Sequence, residues 1–96
     1  MPHYIVLGNF TEKGLSKIRD AHGRMLQSRD IFRCVGGNLI ELFHTFGRYD
    51  FVALVEAPGE EEMMRALLIL GEQGEVRTET MVAVPAGHTM EIIKEL

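Results

Sequence analysis

Four side chains in this sequence are candidates for chemistry: His44, Tyr49, Asp50 and Arg77. The imidazole of a histidine titrates near neutral pH, so His44 could act as an acid–base catalyst or as a ligand. Tyr49 and Asp50 follow a predicted turn, where a phenol and a carboxylate could face a cleft. Arg77 has a planar guanidinium that could bind Asp50 or an anionic ligand. The first three are therefore candidate catalytic residues, and Arg77 is a candidate ligand-binding residue.

Each of these residues also has a structural interpretation, which we favour. Asp50 would cap the turn, Tyr49 would pack at a strand end and Arg77 would form an ion pair. His44 would be a core or edge histidine with its hydrogen bonds satisfied. No nucleophile elbow, phosphate loop or dinucleotide fingerprint occurs, and no His, Cys, Asp or Glu spacing resembles a zinc or iron site. The sequence therefore predicts no metal and no cofactor, and it leaves open whether the protein is an enzyme.

The elements that must position these residues follow from the spacing of apolar side chains. Runs rich in β-branched and aromatic residues predict strands, and three- and four-residue spacing predicts helices. The predicted elements are strands at 4–10, 38–46, 49–56 and 75–84, and helices at 11–35, 58–70 and 89–96. Gly23 is a candidate break in the first helix, and Gly47-Arg48 a candidate tight hairpin turn.

The order of the elements is β-α-β-β-α-β with an additional short C-terminal helix. This order predicts an α+β, ferredoxin-like fold, in which a four-stranded antiparallel sheet carries two helices on one face. In this topology the first strand separates the third from the fourth. A direct contact between Asp50 and Arg77 would therefore need a long reach or a second subunit.

Length and composition limit the classes of function. The 96 residues predict a single domain, 1–96. The net charge of −4 argues against nucleic acid and against a membrane surface as partners. The only cysteine, Cys34, leaves no intrachain disulfide, and no signal or membrane-spanning segment is apparent. We therefore expect a cytoplasmic protein, with Cys34 packed as a small hydrophobic residue. The basic run at Arg19, Arg24, Arg29 and Arg33 is interpreted as a solvated helix face.

Both faces of the predicted strands are apolar. In the third strand, Phe51, Ala53 and Val55 alternate with Val52 and Leu54. In the second strand, strict alternation would place Leu39 and Phe43 on one face, opposite Ile40, Leu42, His44 and Phe46. Two helices can cover only one face, and monomers rarely expose large apolar patches. We therefore expect a homodimer or a larger homo-oligomer in which two sheets pack face to face; the alternative is that the C-terminal helix and loops cover the second face.

Several short motifs, taken in order, resemble the GYD domain family. They are Thr11-x-x-Gly14, Arg24, Gly36-Gly37, Thr45-x-Gly47-x-Tyr49-Asp50, Glu56-Ala57-Pro58 and Gly74-x-Val76-Arg77-Thr78-x-Thr80. The resemblance spans the chain from Tyr4 to the terminal helix. It implies a ferredoxin-like fold related to the dimeric α/β-barrel proteins. It implies no assigned activity, so the motif residues identify the family without naming a reaction.

Two hypotheses of function follow. The first is a small homo-oligomeric binding or assembly module, with room for a small-molecule cleft between sheet and helices. The second is a small dimeric α/β-barrel enzyme that acts on a modest organic substrate by acid–base chemistry. The enzyme hypothesis requires the four candidate side chains to converge on one enclosed pocket. The module hypothesis expects them to be dispersed over turns and surface ion pairs.

Overall fold

The computed structural model describes all residues from 1 to 96 and shows four strands and four α-helices. In chain order they are β1 (His3–Phe10), α1 (Glu12–Ser16), α2 (Ala21–Cys34), β2 (Asn38–His44), β3 (Phe51–Glu56), α3 (Glu60–Glu72), β4 (Val76–Ala83) and α4 (Ala86–Lys94), with a 3₁₀ turn at Ile18–Asp20 between α1 and α2. All strand pairs are antiparallel and lie in the order β2-β3-β1-β4. The predicted ferredoxin-like α+β fold is confirmed, and β1 separates β3 from β4 as the topology predicted.

The hydrophobic core lies between one face of the sheet and helices α2 and α3. The sheet contributes alternate residues of its two central strands to this core, so Val6 and Ala53 are buried while their chain neighbours are not. The helices contribute residues that are three and four positions apart, because such residues lie on one face of a helix. In α3 these are Met63, Ala66 and Leu70. The eleven buried residues of this cluster are Tyr4, Val6, Ile31, Phe32, Val35, Ala53, Val55, Ala57, Met63, Ala66 and Leu70.

The long helix predicted for residues 11–35 is divided into α1, the 3₁₀ turn and α2. Thr11 caps α1 as predicted, with its side chain accepting a hydrogen bond from the Gly14 amide. The break lies at Lys17 and not at Gly23, which is inside α2. Arg24 Nη2 donates to the Gly14 carbonyl at 3.0 Å and to the Lys17 carbonyl at 3.5 Å. Both carbonyls also accept a backbone hydrogen bond, from the Lys17 and Asp20 amides respectively, so Arg24 adds a second donor to each and joins α2 to the end of α1.

Strand β2 departs from the predicted alternation because it contains a β-bulge. The pairing with β3 shifts between Leu39 and Glu41, so the intervening Ile40 has no partner. Leu39 and Leu42 therefore share the helix-covered face, and Phe43 lies on the other. The prediction that Leu39 and Phe43 share a face was wrong, because an extra residue inverts the alternation beyond it.

The connection between β2 and β3 is longer than the predicted tight turn at Gly47-Arg48. Strand β2 ends at His44 and β3 begins at Phe51, which leaves residues 45–50 outside the ladder. Gly47 has φ +98°, a backbone conformation that suits glycine. The Thr45 hydroxyl donates to the Tyr49 carbonyl at 2.6 Å and closes this loop. Phe46, which was predicted to continue β2, is fully exposed at its tip.

Helix α4 projects from the domain. It begins at Ala86 and not at the predicted Thr89, and none of its residues is buried. The radius of gyration is 14.5 Å, whereas a compact chain of this length would give about 12.5 Å. The terminal helix therefore does not cover the second face of the sheet. None of the helices combines the length and the apolar character that crossing a membrane requires.

Candidate functional site

His44 lies at the end of β2 on the helix-covered face of the sheet. It pairs with Phe51 in the β2–β3 ladder, and its ring centroid is 6.3 Å from that of Phe10. The Phe51 ring occupies the space above Gly8, where an added Cβ would lie only 2.0 Å from a ring atom. The imidazole thus borders an aromatic cluster at one end of the cavity between the sheet and α2.

Tyr49 lies in the loop before β3 and reaches toward the opposite face. Its hydroxyl donates a hydrogen bond of 2.6 Å to Oε2 of Glu79 on β4. Glu79 pairs with Leu7, whose side chain points away from the helices. The pKa of Tyr49 is raised, first by the hydrogen bond to Glu79 and then by loss of solvation and by the negative charge of that carboxylate. Arg48 partly opposes this rise. A phenol with a raised pKa keeps its proton, so Tyr49 serves here as a hydrogen-bond donor.

Asp50 binds backbone at the end of the sheet. Its Oδ2 accepts a hydrogen bond of 2.9 Å from the Phe10 amide, and its own amide donates to Gly8 O and to Asn9 Oδ1 at 2.8 and 3.1 Å. These bonds tie the loop to the end of β1 and give Asp50 the structural role of closing the strand end.

Arg77 is exposed on the edge strand β4, opposite Asn9 of β1. It forms neither a salt bridge nor a side-chain hydrogen bond, with Asp50 or with any other residue. The four candidate residues are therefore dispersed: His44 borders the internal cavity, Tyr49 and Arg77 lie on the other side of the sheet, and Asp50 is bound to backbone. No group of three His, Cys, Asp or Glu side chains is close enough to hold a metal ion.

A mainly apolar cavity with polar side chains in its wall lies beneath α2. Its volume is about 70 Å³, and it lies between α2, the β3–β1–β4 part of the sheet and the end of β2. Eleven of its seventeen lining residues are hydrophobic. The polar side chains in the lining are those of Arg24, Ser28, His44, Gln73, Glu75 and Thr78. Small-molecule sites combine apolar walls and a few polar groups in the same way, but they usually have volumes of ~300–1,000 Å³, so this cavity is small for a ligand site.

An ion pair between Arg24 and Glu75 forms one wall of this cavity. Arg24 Nε lies 3.1 Å from Glu75 Oε2, and the two side chains are only 11% and 16% exposed. The guanidinium also lies over the Phe10 ring, with 5.3 Å between its carbon and the ring centroid. Lys17 Nζ is 3.5 Å from Glu75 Oε1. The group joins α2, the α1 end and the start of β4 in one electrostatic network.

Glu75 is held in its charged form. Partial burial alone would raise the pKa of its carboxyl group, but the hydrogen bond and charge of Arg24, assisted by Lys17, outweigh that effect and lower the pKa. Its backbone is also involved, since the Glu75 carbonyl accepts from the Thr11 amide at 3.0 Å. An added Cβ at Gly14 would lie 2.1 Å from the same carbonyl oxygen. Close approach of α1 to Glu75 therefore requires glycine at position 14.

The sequence did not single out this wall of the cavity as a site. Arg24 was assigned to a solvated basic face, which is wrong for this residue because its side chain lies against Phe10 and Glu75. The only available signal was its place among the motif residues. The prediction that Cys34 is packed was also wrong, since Cys34 is exposed.

Comparison with known proteins identifies the family. The GYD domain family matches residues 4–93. The chain belongs to the GYD domain family. A Thermus thermophilus protein named glutamine synthetase and cystathionine beta-lyase binding protein is 30% identical over 95 residues, which cover 98% of this chain and 100% of that protein. The named partners are those of the Thermus protein.

Solved structures share the fold of this GYD domain. MtbAldR superposes with a TM-score of 0.68 at 15% identity, over 86% of this chain and 51% of that one. This chain thus spans about half the length of MtbAldR, and at this identity the likeness shows the fold alone. A structure from Thermus thermophilus gives a TM-score of 0.55 at 26% identity, over 88% of this chain and 94% of that one.

Proposed function

We propose that this GYD domain is a homo-oligomeric module that binds metabolic enzymes. The observation that carries the proposal is an uncovered apolar face of the sheet combined with dispersed candidate catalytic residues. The name of the Thermus relative, a glutamine synthetase and cystathionine beta-lyase binding protein, supports enzymes as the partner class. The enzyme hypothesis would instead have His44, Tyr49, Asp50 and Arg77 around one pocket, and their separation favours the module.

The uncovered surface, called the open face below, is the side of the sheet that points away from α2 and α3. Its apolar residues are Ile5, Leu7, Phe43, Val52, Leu54 and Met81. Phe43 and Met81 are 56% and 44% exposed, and the others are half-buried by their neighbours in the sheet. Charged side chains lie at its edges, with Glu41 on β2 and Glu79 on β4. An apolar centre with a polar rim is the arrangement of a protein interface.

A second copy of the same chain is the occupant that we propose for the open face. Two such sheets packed face to face would bury both apolar centres at once, and burial gains about 25 cal/mol per Å² of apolar surface. The chain itself offers no alternative cover, because α4 extends away and has no buried residue. The partner enzyme would then bind elsewhere on the dimer, where exposed apolar side chains remain on α4 and on the outer side of α3.

Leu54→Asp is expected to convert the oligomer to a monomer. Leu54 lies at the centre of the open face, between Ile5 and Glu41, so two aspartates would be buried close together in a face-to-face dimer. We expect the dimer dissociation constant to rise at least ~tenfold. Light scattering coupled to size exclusion should show the 10.8 kDa chain mass for the variant and at least twice that mass for the wild type.

The matched control for this experiment is Leu68→Asp. Leu68 is 64% exposed on α3, on the other side of the molecule, so the same change there should leave the mass unaltered. A wild-type monomer at micromolar concentration, or an equal response of both variants, would refute the sheet-to-sheet dimer.

Direct binding tests the partner class. Purified glutamine synthetase and cystathionine beta-lyase, each immobilised for biolayer interferometry, should retain the wild-type protein with a saturable, concentration-dependent signal. Bovine serum albumin, immobilised at the same density, serves as the reference. Saturable binding to either enzyme supports the module. A response equal to that of albumin for both enzymes contradicts the proposed partner class, whatever the oligomeric state.

A further inference from the structure

We propose that the free edge of β4 pairs with β4 of a second copy, which joins two four-stranded sheets edge to edge. This contact is separate from the face-to-face dimer, because it uses the edge of the sheet and leaves the open face free. It follows from an unprotected strand edge, from two complementary charges on that strand and from the register that these charges select.

Strand β4 is an edge strand that lacks the usual protection against pairing. It lies at one end of the order β2-β3-β1-β4, so only β1 pairs with it. Its ladder with β1 runs without a bulge from Val76 to Ala83, no proline or lysine interrupts it, and five of its eight residues are exposed. The other edge strand, β2, is protected by the bulge at Ile40. The free edge of β4 therefore presents unpaired backbone N–H and C=O groups that a second strand can satisfy.

Two exposed side chains of β4 carry opposite charges that are free to pair with another chain. Arg77 forms neither a salt bridge nor a side-chain hydrogen bond within its own chain. Glu79 accepts a hydrogen bond from the Tyr49 hydroxyl through Oε2, and its Oε1 has no partner. Both residues lie on the open-face side of β4, two positions apart. An arginine and a glutamate that lie directly opposite each other stabilise an antiparallel pair of strands.

These charges select one register for the pairing. Two copies of one strand pair in antiparallel fashion around a two-fold axis, and the axis passes through a residue because directly opposite residues point to the same side of the sheet. An axis at Thr78 places Arg77 of each copy opposite Glu79 of the other, which gives two ion pairs. An axis at Arg77 or at Glu79 would place like charges opposite each other, which is destabilising. An axis at Thr80 would place both charges opposite apolar residues.

The other pairs in this register suit a β-ladder. Thr78 lies opposite Thr78 of the second copy, and Val76 lies opposite Thr80. These residues are β-branched, which favours strands, and threonine pairs stabilise antiparallel ladders. Because the axis is perpendicular to the sheet, the helices of both copies lie on one side and both open faces on the other. The edge contact is therefore compatible with face-to-face packing.

The edge contact is the smaller of the two contacts between copies. It pairs only the residues from Val76 to Thr80 of each strand, whereas face-to-face packing buries the whole apolar centre of the open face. We therefore expect Leu54→Asp to remain monomeric at micromolar concentration, and we expect edge pairing to be detected when it is trapped covalently.

Disulfide trapping tests the register. The parent protein is Cys34→Ser, which removes the only cysteine. In this parent, Thr78→Cys would place two thiols opposite each other, with Cα atoms about 4.5–5.5 Å apart, which is within the range that a disulfide spans. Under mild oxidation with diamide we expect Thr78→Cys to form covalent dimers at least about tenfold faster than Val82→Cys, as measured on non-reducing gels.

Val82→Cys is the matched control. Val82 is 69% exposed and lies on the same side of β4 as Thr78, but in this register it would lie about 27 Å from Val82 of the second copy. Equal rates for the two variants would overturn the inference. Both residues point away from the open face, so the face-to-face dimer does not bring either pair of thiols together. The outcome is therefore independent of the proposed dimer.

Charge exchange in the Thr78→Cys protein tests the ion pairs. Arg77→Glu would place carboxylates opposite each other and Glu79→Arg would place guanidinium groups opposite each other, so each change alone should slow cross-linking about tenfold. The two variants are complementary, so a mixture of both should form the mixed dimer, identified by its mass, at the rate of the Thr78→Cys protein. Tyr49→Phe, which removes the hydrogen bond to Glu79 but no charge, should leave the rate unchanged. If Arg77→Glu does not slow cross-linking, or if the mixture reacts no faster than its components, the inference is wrong.

Discussion

Arg24→Met is expected to lower the free energy of unfolding by about 3 kcal/mol. The change retains an apolar stem beside Phe10 but removes every polar contact of the guanidinium, with Glu75 and with the Gly14 and Lys17 carbonyls. Glu75, whose side chain is only 16% exposed, would be left with Lys17 at 3.5 Å as its remaining cation. An uncompensated charge in a largely buried position is costly because it cannot regain its water. Urea unfolding of both proteins, followed by circular dichroism, measures the difference.

The matched control is Arg65→Met, which removes the same guanidinium from a surface ion pair. Arg65 is 58% exposed and pairs with Glu61 one turn earlier in α3, so its loss should cost at most about 0.5 kcal/mol. Glu75→Gln in the Arg24→Met background should restore part of the lost stability, because it removes the unpaired charge. Equal effects at positions 24 and 65 would show that burial does not strengthen the Arg24–Glu75 pair.

Gly37→Ala is expected to lower the free energy of unfolding by about 3 kcal/mol. A Cβ at position 37 would lie 2.2 Å from the carbonyl oxygen of Glu56 and 3.1 Å from the Cα of Ala57. Both obstacles are backbone atoms at the end of β3, so no side-chain rotation can relieve the clash. The turn between α2 and β2 would have to move away from β3, and Gly37 N would lose its 2.8 Å hydrogen bond to Phe32 O. Denaturant unfolding again provides the measurement.

The same substitution should have the opposite sign at Gly71. This residue lies within α3, and apart from its chain neighbours and the backbone of its own helix no atom is within 4 Å of the position of its Cβ. Alanine is favoured over glycine in a helix by about 1 kcal/mol, so Gly71→Ala should stabilise the protein by up to that amount. If Gly37→Ala proves as harmless as Gly71→Ala, the close approach of β3 to the α2–β2 turn does not constrain the fold.

The elements could be predicted from the sequence wherever local pattern and tertiary packing agree. Strand β3 alternates between buried and half-buried residues as its pattern indicated, and α3 buries the apolar stripe formed by Met63, Ala66 and Leu70. The division of the long helix at Lys17 could not be read in this way. Its apolar spacing continues through the break, and the side-chain hydrogen bonds that join the two helices across it come from Arg24, one turn into the next helix.

The candidate site shows the limits of residue type as a guide. His44, Tyr49 and Asp50 lie close together in the chain, but their side chains contact different parts of the structure. His44 borders the cavity, the Tyr49 hydroxyl bonds to Glu79, and the Asp50 carboxylate accepts from the Phe10 amide. Conversely, Arg24 and Glu75 are 51 residues apart in the chain, and neither has a neighbour in sequence that marks it as half of a buried pair. Only the packing of α2 against the start of β4 brings the two together.

The sequence by itself determined the order of strands and helices, and hence the ferredoxin-like topology, because hydrophobic periodicity is a local property of the chain. It also indicated that the sheet is apolar on both faces. The tertiary structure decided which side chains occupy which face of β2, since a single unpaired residue at Ile40 inverts the alternation. It also decided that α4 leaves the open face uncovered and that Arg24 borders a cavity, because both depend on contacts between segments distant in the chain.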